Sequence, residues 1–130
     1  MKMGKEKNFE EKVKAFLKIK GAWFVKYWGG GRFTQDGTPD LLVCYQGEFM
    51  GVEIKADNGK PSPLQLQCLE KIDKAGGYAI LLFPDKAEVF KNFIRCLEYG
   101  DRTNAEYNYK LLKGVWQEWI QVLQLHQSSV

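Results

Sequence analysis

The segment YAILLF, residues 78–83, is nearly all apolar and follows a stretch with complete helix-start signals. A strand with no polar side has to be covered on both faces, as strands of parallel sheets are. Just upstream, Ser62 is placed to cap a helix, Pro63 falls at its first position, and Gln65 completes a capping box. Gly76-Gly77 ends that helix. Before it lie two short hydrophobic strands within GTPDLLVCYQGEFMGVEIKA, residues 37–56, joined by a turn at Gln46-Gly47. Strand, helix, strand in this order predicts a parallel pair with a right-handed crossover. The chain is thereby confined to α/β folds.

The remaining elements fit around that unit. Phe9, Val13, Phe16 and Leu17 recur at helical spacing, with Asn8 as cap and Gly21 as stop, which predicts a helix over residues 8–20. AWFVKYW reads as a strand, and GGGRFTQDGTP as a long mobile loop. A short helix is expected over residues 85–99. After the polar GDRTNAE comes a last helix carrying Tyr109, Leu112, Trp116, Trp119, Ile120 and Leu123. The expected order is α-β-β-β-α-β around a mixed sheet, with extra C-terminal helices. At 130 residues this is one domain, with a core over about residues 8–84 and a helical extension over about 85–127.

Composition narrows the function classes. A content of 45% hydrophobic and 27% charged residues is that of a soluble globular chain. No apolar run approaches the roughly 18 residues needed to cross a bilayer, and the lysine-rich start lacks the apolar stretch of a signal peptide. Cys44, Cys68 and Cys96 are scattered and odd in number, which suggests reduced, buried thiols in a cytoplasmic protein, with neither a disulfide frame nor a zinc site. A net charge of +3 permits a nucleic-acid partner without arguing strongly for one.

The chemistry lies in the hairpin. Alternate residues of a strand share a face, so Val52 and Ile54 point one way, and Glu53 and Lys55 the other. Ionised groups on a central strand are costly to bury unless paired or bound to a metal. Asp40 opens the neighbouring strand on the same side. Two carboxylates on adjacent strands, completed by water, suit Mg²⁺, with Mn²⁺ as a substitute. Such an ion neutralises phosphoryl charge, and a neighbouring lysine can position the attacking water. An isolated Glu-x-Lys on a strand is ordinarily a solvated face, and Asp40 after Thr-Pro could simply shape a turn. Their combination is what carries weight.

With FEEKVKAFLKIKGAWFVKYW, GTPDLLV, GVEIKADNGKPSPLQ and GGYAILLF, the chain resembles the PD-(D/E)XK nuclease fold and, within it, the small VRR-NUC domain. The resemblance runs from about Phe9 to Phe83 and implies a restriction-endonuclease-like core and metal-dependent hydrolysis of DNA. It implies Asp40 and Glu53 as metal ligands, helped by the Ile54 carbonyl, Lys55 as the catalytic lysine, and Gln65 approaching from the second helix. An acid on the first helix is also implied. The sequence offers Glu6, Glu10 and Glu11; Glu10 borders the apolar stripe whereas Glu11 points away, so Glu10 is the choice, as a ligand through water or an orienter. Each has a plainer reading: a carboxylate favouring a helix N-terminus for Glu10, the capping box alone for Gln65. Lys26 matches a lysine position of the family.

Lys26, Arg32 and Lys60 flank the expected site and could hold DNA phosphates in a salt-sensitive manner. His126 reads as a surface residue, and GGGR lacks the Gly-Lys-Ser/Thr of a phosphate-binding P-loop. The match thins beyond Phe83. The expected activity is a Mg²⁺-dependent DNA endonuclease of phage or bacterial type, selective for branched DNA such as a Holliday junction or flap, with no organic cofactor. The alternative is a DNA-binding or assembly module with weak or no catalysis. The aromatic stripe of the last helix predicts a homodimer with that helix in the interface; the intramolecular alternative folds both tryptophans back onto the sheet.

Overall fold

The computed structural model describes residues 4–28 and 37–128, with side chains up to residue 124. Arg32, most of the glycine-containing loop and the His126 side chain lie outside the described residues. The elements run α1 (Gly4–Ile19), β1 (Trp23–Lys26), β2 (Leu41–Tyr45), β3 (Glu48–Ile54), α2 (Pro63–Lys74), β4 (Tyr78–Leu82), a 3₁₀ turn (Pro84–Lys86), α3 (Ala87–Tyr99) and α4 (Arg102–Ser128). The four strands form one sheet in chain order. β1–β2 and β2–β3 are antiparallel, and β3–β4 is parallel, so the sheet is mixed and the fold is α/β. Gln46 and Gly47 make the two-residue turn between β2 and β3, both with positive φ.

One face of the sheet is covered by α1 and α3. Val13 and Leu17 meet Leu41, Val43, Met50, Val52, Ile54, Ile80 and Leu82, with Phe90, Phe93 and Ile94 closing the layer. On the other face Leu66 and Leu69 of α2 pack with Ala79, Leu81 and Trp116. β4 is therefore enclosed on both sides, as its all-apolar sequence requires. Among the described residues α2 touches β3 and β4, and Trp23, Val25 and Cys44 on the β1–β2 part of that face are exposed. Cys44 alternates onto that open part, which is why it is exposed; Cys68 and Cys96 are half-buried. The expectation of three buried thiols is corrected accordingly.

α4 begins earlier than the polar GDRTNAE suggests. The Asp101 side chain accepts the Asn104 N–H at 3.2 Å and its carbonyl accepts the Ala105 N–H at 2.9 Å, so a stretch read as a linker is a capped first turn. The helix then crosses the free edge of β4. The Ala79 N–H donates to Tyr109 Oη at 3.0 Å, and Trp116 Nε1–H donates to the Ala79 carbonyl at 2.8 Å. Two aromatic side chains thus satisfy backbone groups that an edge strand would otherwise offer to another chain. Tyr109 also donates to Asp73 Oδ1 at 2.7 Å, tying α4 to α2. The aromatic stripe packs inside the fold, with Trp116 buried and Trp119 half-buried, which is the intramolecular arrangement of the two tryptophans.

Candidate active site

Two glycines set the frame of the site. A Cβ on Gly37, whose φ is +83°, would lie 2.4 Å from the Leu64 carbonyl oxygen, so the GTPD turn can press against the start of α2 only with glycine there. A Cβ on Gly51 would lie 2.8 Å from Ile72 Cδ1 and 2.9 Å from Pro39 Cγ. Pro39 therefore sits directly on β3, and the following Asp40 is delivered to the C-terminal end of that strand.

There Asp40 Oδ2 accepts the Ile54 N–H at 2.8 Å, which fixes the carboxylate at the boundary between β2 and β3. Asp40 Oδ1 lies 3.3 Å from Lys26 Nζ, and the same ammonium donates to Glu10 Oε1 at 2.7 Å. Glu10 is 4% exposed and Glu53 3%, making them the two buried charged residues of the described chain. Glu53 Oε2 accepts from Gln65 Nε2 at 3.0 Å and lies 3.6 Å from Lys55 Nζ. Gln65 makes a capping contact and a contact to Glu53 at once. Its Oε1 accepts the Ser62 N–H at 2.9 Å in the capping box while its amide nitrogen reaches Glu53.

A comparison with solved structures finds similarity to a "VRR_NUC domain" at 29% identity, over 62% of this chain and 83% of that one, with a TM-score of 0.49. No family model and no curated protein matches.

The structure joins Glu10, Lys26 and Asp40 in one group and Glu53, Lys55 and Gln65 in another, the two meeting at the end of β3 where Asp40 accepts the Ile54 N–H. Helical angle separates the acids of α1 as the stripe suggested: Glu10 faces inward and Glu11 is exposed. Lys26 sits between two carboxylates, its side chain only 15% exposed, a different position from the open phosphate-holding one expected of it. Lys55 is also more enclosed than strand alternation alone implies, because the following loop folds against its stem; a Cβ on Gly59 would lie 3.2 Å from Lys55 Cβ. Lys60 is exposed on that loop.

One contributor was missed by sequence reasoning. Lys14 lies 3.5 Å from Glu10, and the i,i+4 spacing was the available signal. Its bond to Glu11 raises its pKa above the ordinary lysine value against an opposing desolvation, with Glu10 adding to the rise. Cys68, on α2, has its thiol pKa pushed up by burial, and the Glu53 charge pushes it further.

The donor chemistry is hard oxygen. Asp40 and Glu53 come from adjacent strands, and the Ile54 carbonyl belongs to the same strand end. Among the described residues no group of three or more His, Cys, Asp and Glu closes around one point. A cation held by Asp40, Glu53 and the Ile54 carbonyl would need water to complete its shell. The oxygen donors are of the type a hard cation takes, and Lys26 and Lys55 already neutralise part of their charge. No described helix is long and apolar enough to cross a membrane.

Proposed function

We propose that the chain is a metal-dependent endonuclease of the PD-(D/E)XK type, a VRR-NUC domain that hydrolyses phosphodiester bonds in branched DNA. The observation that carries this reading is the pairing of Asp40 and Glu53 on neighbouring strands with Lys55 3.6 Å from Glu53. Asp40, Glu53 and the Ile54 carbonyl would hold Mg²⁺ or Mn²⁺. The chemistry such an ion supplies is Lewis-acid neutralisation of phosphoryl charge. Lys55 orients the attacking water or holds a non-bridging phosphate oxygen. Gln65 keeps the Glu53 carboxylate in place through its fixed amide, and Lys26 does the same for Asp40 and Glu10. Lys60 and Arg32 meet neighbouring phosphates.

A homodimer stays within the proposal because symmetric cutting of a junction needs two sites. Its interface is sought away from the α4 stripe, which is buried in the fold.

A second reading is favoured by Lys26. An ammonium shared by Glu10 and Asp40 is also what a purely structural buried charge network contains, which suits a DNA-binding module without catalysis. One assay separates the two. Purified protein is incubated with junction, flap, single-stranded and linear duplex DNA in Mg²⁺, Mn²⁺ or EDTA, beside Lys55→Ala. The nuclease reading expects divalent-dependent cleavage that is lost in Lys55→Ala with DNA binding retained. Binding without cleavage in any metal, or a Lys55→Ala variant as active as wild type, refutes it.

A further inference from the structure

Trp28 follows β1 two residues after Lys26 and is 77% exposed. Its ring centroid lies 5.4 Å from Lys26 Nζ, the ammonium that bridges Glu10 and Asp40. A large indole therefore stands beside the carboxylate cluster, steadied by a cation–π contact yet mostly open to solvent. Neither the core nor the charge network requires it. Removing so much apolar surface from water is favourable, so a partner at this position gains by covering it.

We propose that Trp28 is a substrate-binding residue that stacks on an unpaired or branch-point nucleobase beside the bond to be cut. The inference rests on the nuclease reading and names the part of the substrate that this side chain selects. The location matters first. The ring adjoins the lysine that contacts Asp40, so a base stacked on it would belong to a nucleotide at or next to the one whose phosphate a cation would hold at Asp40 and Glu53. The chemistry matters second. Inside a continuous duplex every base face is already stacked, and only edges are presented in the grooves. Faces become available at branch points, flaps and single strands, where aromatic side chains stack on them without regard to sequence. An exposed indole at the cutting site therefore discriminates interrupted from continuous duplex. Lys60 and its like contact phosphates and cannot make that distinction.

The test measures binding in EDTA, which separates it from catalysis. Wild type, Trp28→Ala and Trp28→Phe are titrated against a fluorescent flap substrate and against a duplex of equal length with both ends closed by hairpins. Circular dichroism checks that the variants fold, as expected for so exposed a residue. Trp28→Ala should weaken flap binding roughly ten- to a hundredfold, the range of one base–aromatic stack, and leave the closed duplex unchanged. Trp28→Phe should recover most of the flap affinity. Equal weakening on both substrates, or none on the flap, overturns the assignment of Trp28 while leaving the nuclease reading intact. Flap discrimination that depends on Trp28 in a protein that never cleaves upholds the stacking role and refutes the nuclease. A wild type that binds neither DNA in EDTA overturns the stacking role and leaves the nuclease reading to the cleavage assay.

Discussion

Replacing Lys26 by Met tests the charge network at its centre. The ammonium lies 2.7 Å from Glu10 Oε1 and 3.3 Å from Asp40 Oδ1. At an effective dielectric of about 20 these separations correspond to roughly 6 and 5 kcal/mol of Coulomb attraction. Burying three charged groups offsets most of that gain. Removing one partner of a buried pair leaves the others desolvated, and such changes cost about 3–5 kcal/mol. Lys14 remains 3.5 Å from Glu10, which argues for the lower end. We expect Lys26→Met to lose about 3 kcal/mol in EDTA, or roughly 10 °C in Tm for a chain of this size. Lys26→Arg, which keeps the charge, should lose far less. Urea titration with circular dichroism gives the first number, and calorimetry the second. Millimolar Mn²⁺ should stabilise Lys26→Met more than wild type, because a cation that binds only the folded state stabilises it by an amount that grows with the logarithm of its affinity. A loss below about 1 kcal/mol would refute the view of a buried network, since that is the value of an exposed ion pair. Equal Mn²⁺ stabilisation of both proteins would refute the coupling between Lys26 and a cation site.

Two further predictions concern α4. Trp116→Ala should destabilise by about 3–5 kcal/mol, the range for truncating a large buried side chain, with no change in the mass seen by light scattering; a shift to a smaller particle would return this helix to an interface. Tyr109 has its pKa pushed above the tyrosine range, first by burial and then by Asp73, against the opposing Ala79 N–H. The unfolded chain releases this proton near pH 10 and the folded one only above that. The contribution is therefore complete below about pH 10 and lost as the pH rises further. Urea midpoints should fall more steeply for wild type than for Tyr109→Phe between about pH 9.5 and 11, and parallel slopes would refute the shift.

Much of the fold was legible because local signals agreed with each other. Ser62, Pro63 and Gln65 act at the positions their residue types prefer, and the alternation of β3 places Val52 and Ile54 in the core, as a strand of period two must. α4 was less legible, for a reason particular to its partners. Asp101 caps the helix through Asn104, a signal hidden in a polar run that composition assigns to a linker. Trp116 and Tyr109 look like an unburied stripe until the edge of β4 is known to need a donor for the Ala79 carbonyl and an acceptor for its N–H. That requirement belongs to two segments some 30 and 37 residues apart and has no local signature.

The site divides along the same line. Asp40, Glu53 and Lys55 could be named because they fall within one hairpin, whose register follows from a two-residue turn. Gln65 could be named from its capping pattern, and its contact with Glu53 is compatible with that pattern, since an amide has an acceptor for Ser62 and a donor for Glu53 at opposite corners. Lys26 was misplaced because a lysine at the end of an edge strand ordinarily extends to solvent. What turns it inward is Glu10, delivered by α1, and Asp40, held rigid by the Ile54 N–H. Charge pairing across three elements fixes its direction, and no spacing along the chain encodes that. The same geometry explains why Trp28 could not be read from sequence as more than a strand aromatic. Its place depends wholly on where the Lys26 ammonium goes, and with that ammonium held between two carboxylates, the exposed indole stands beside the charge cluster.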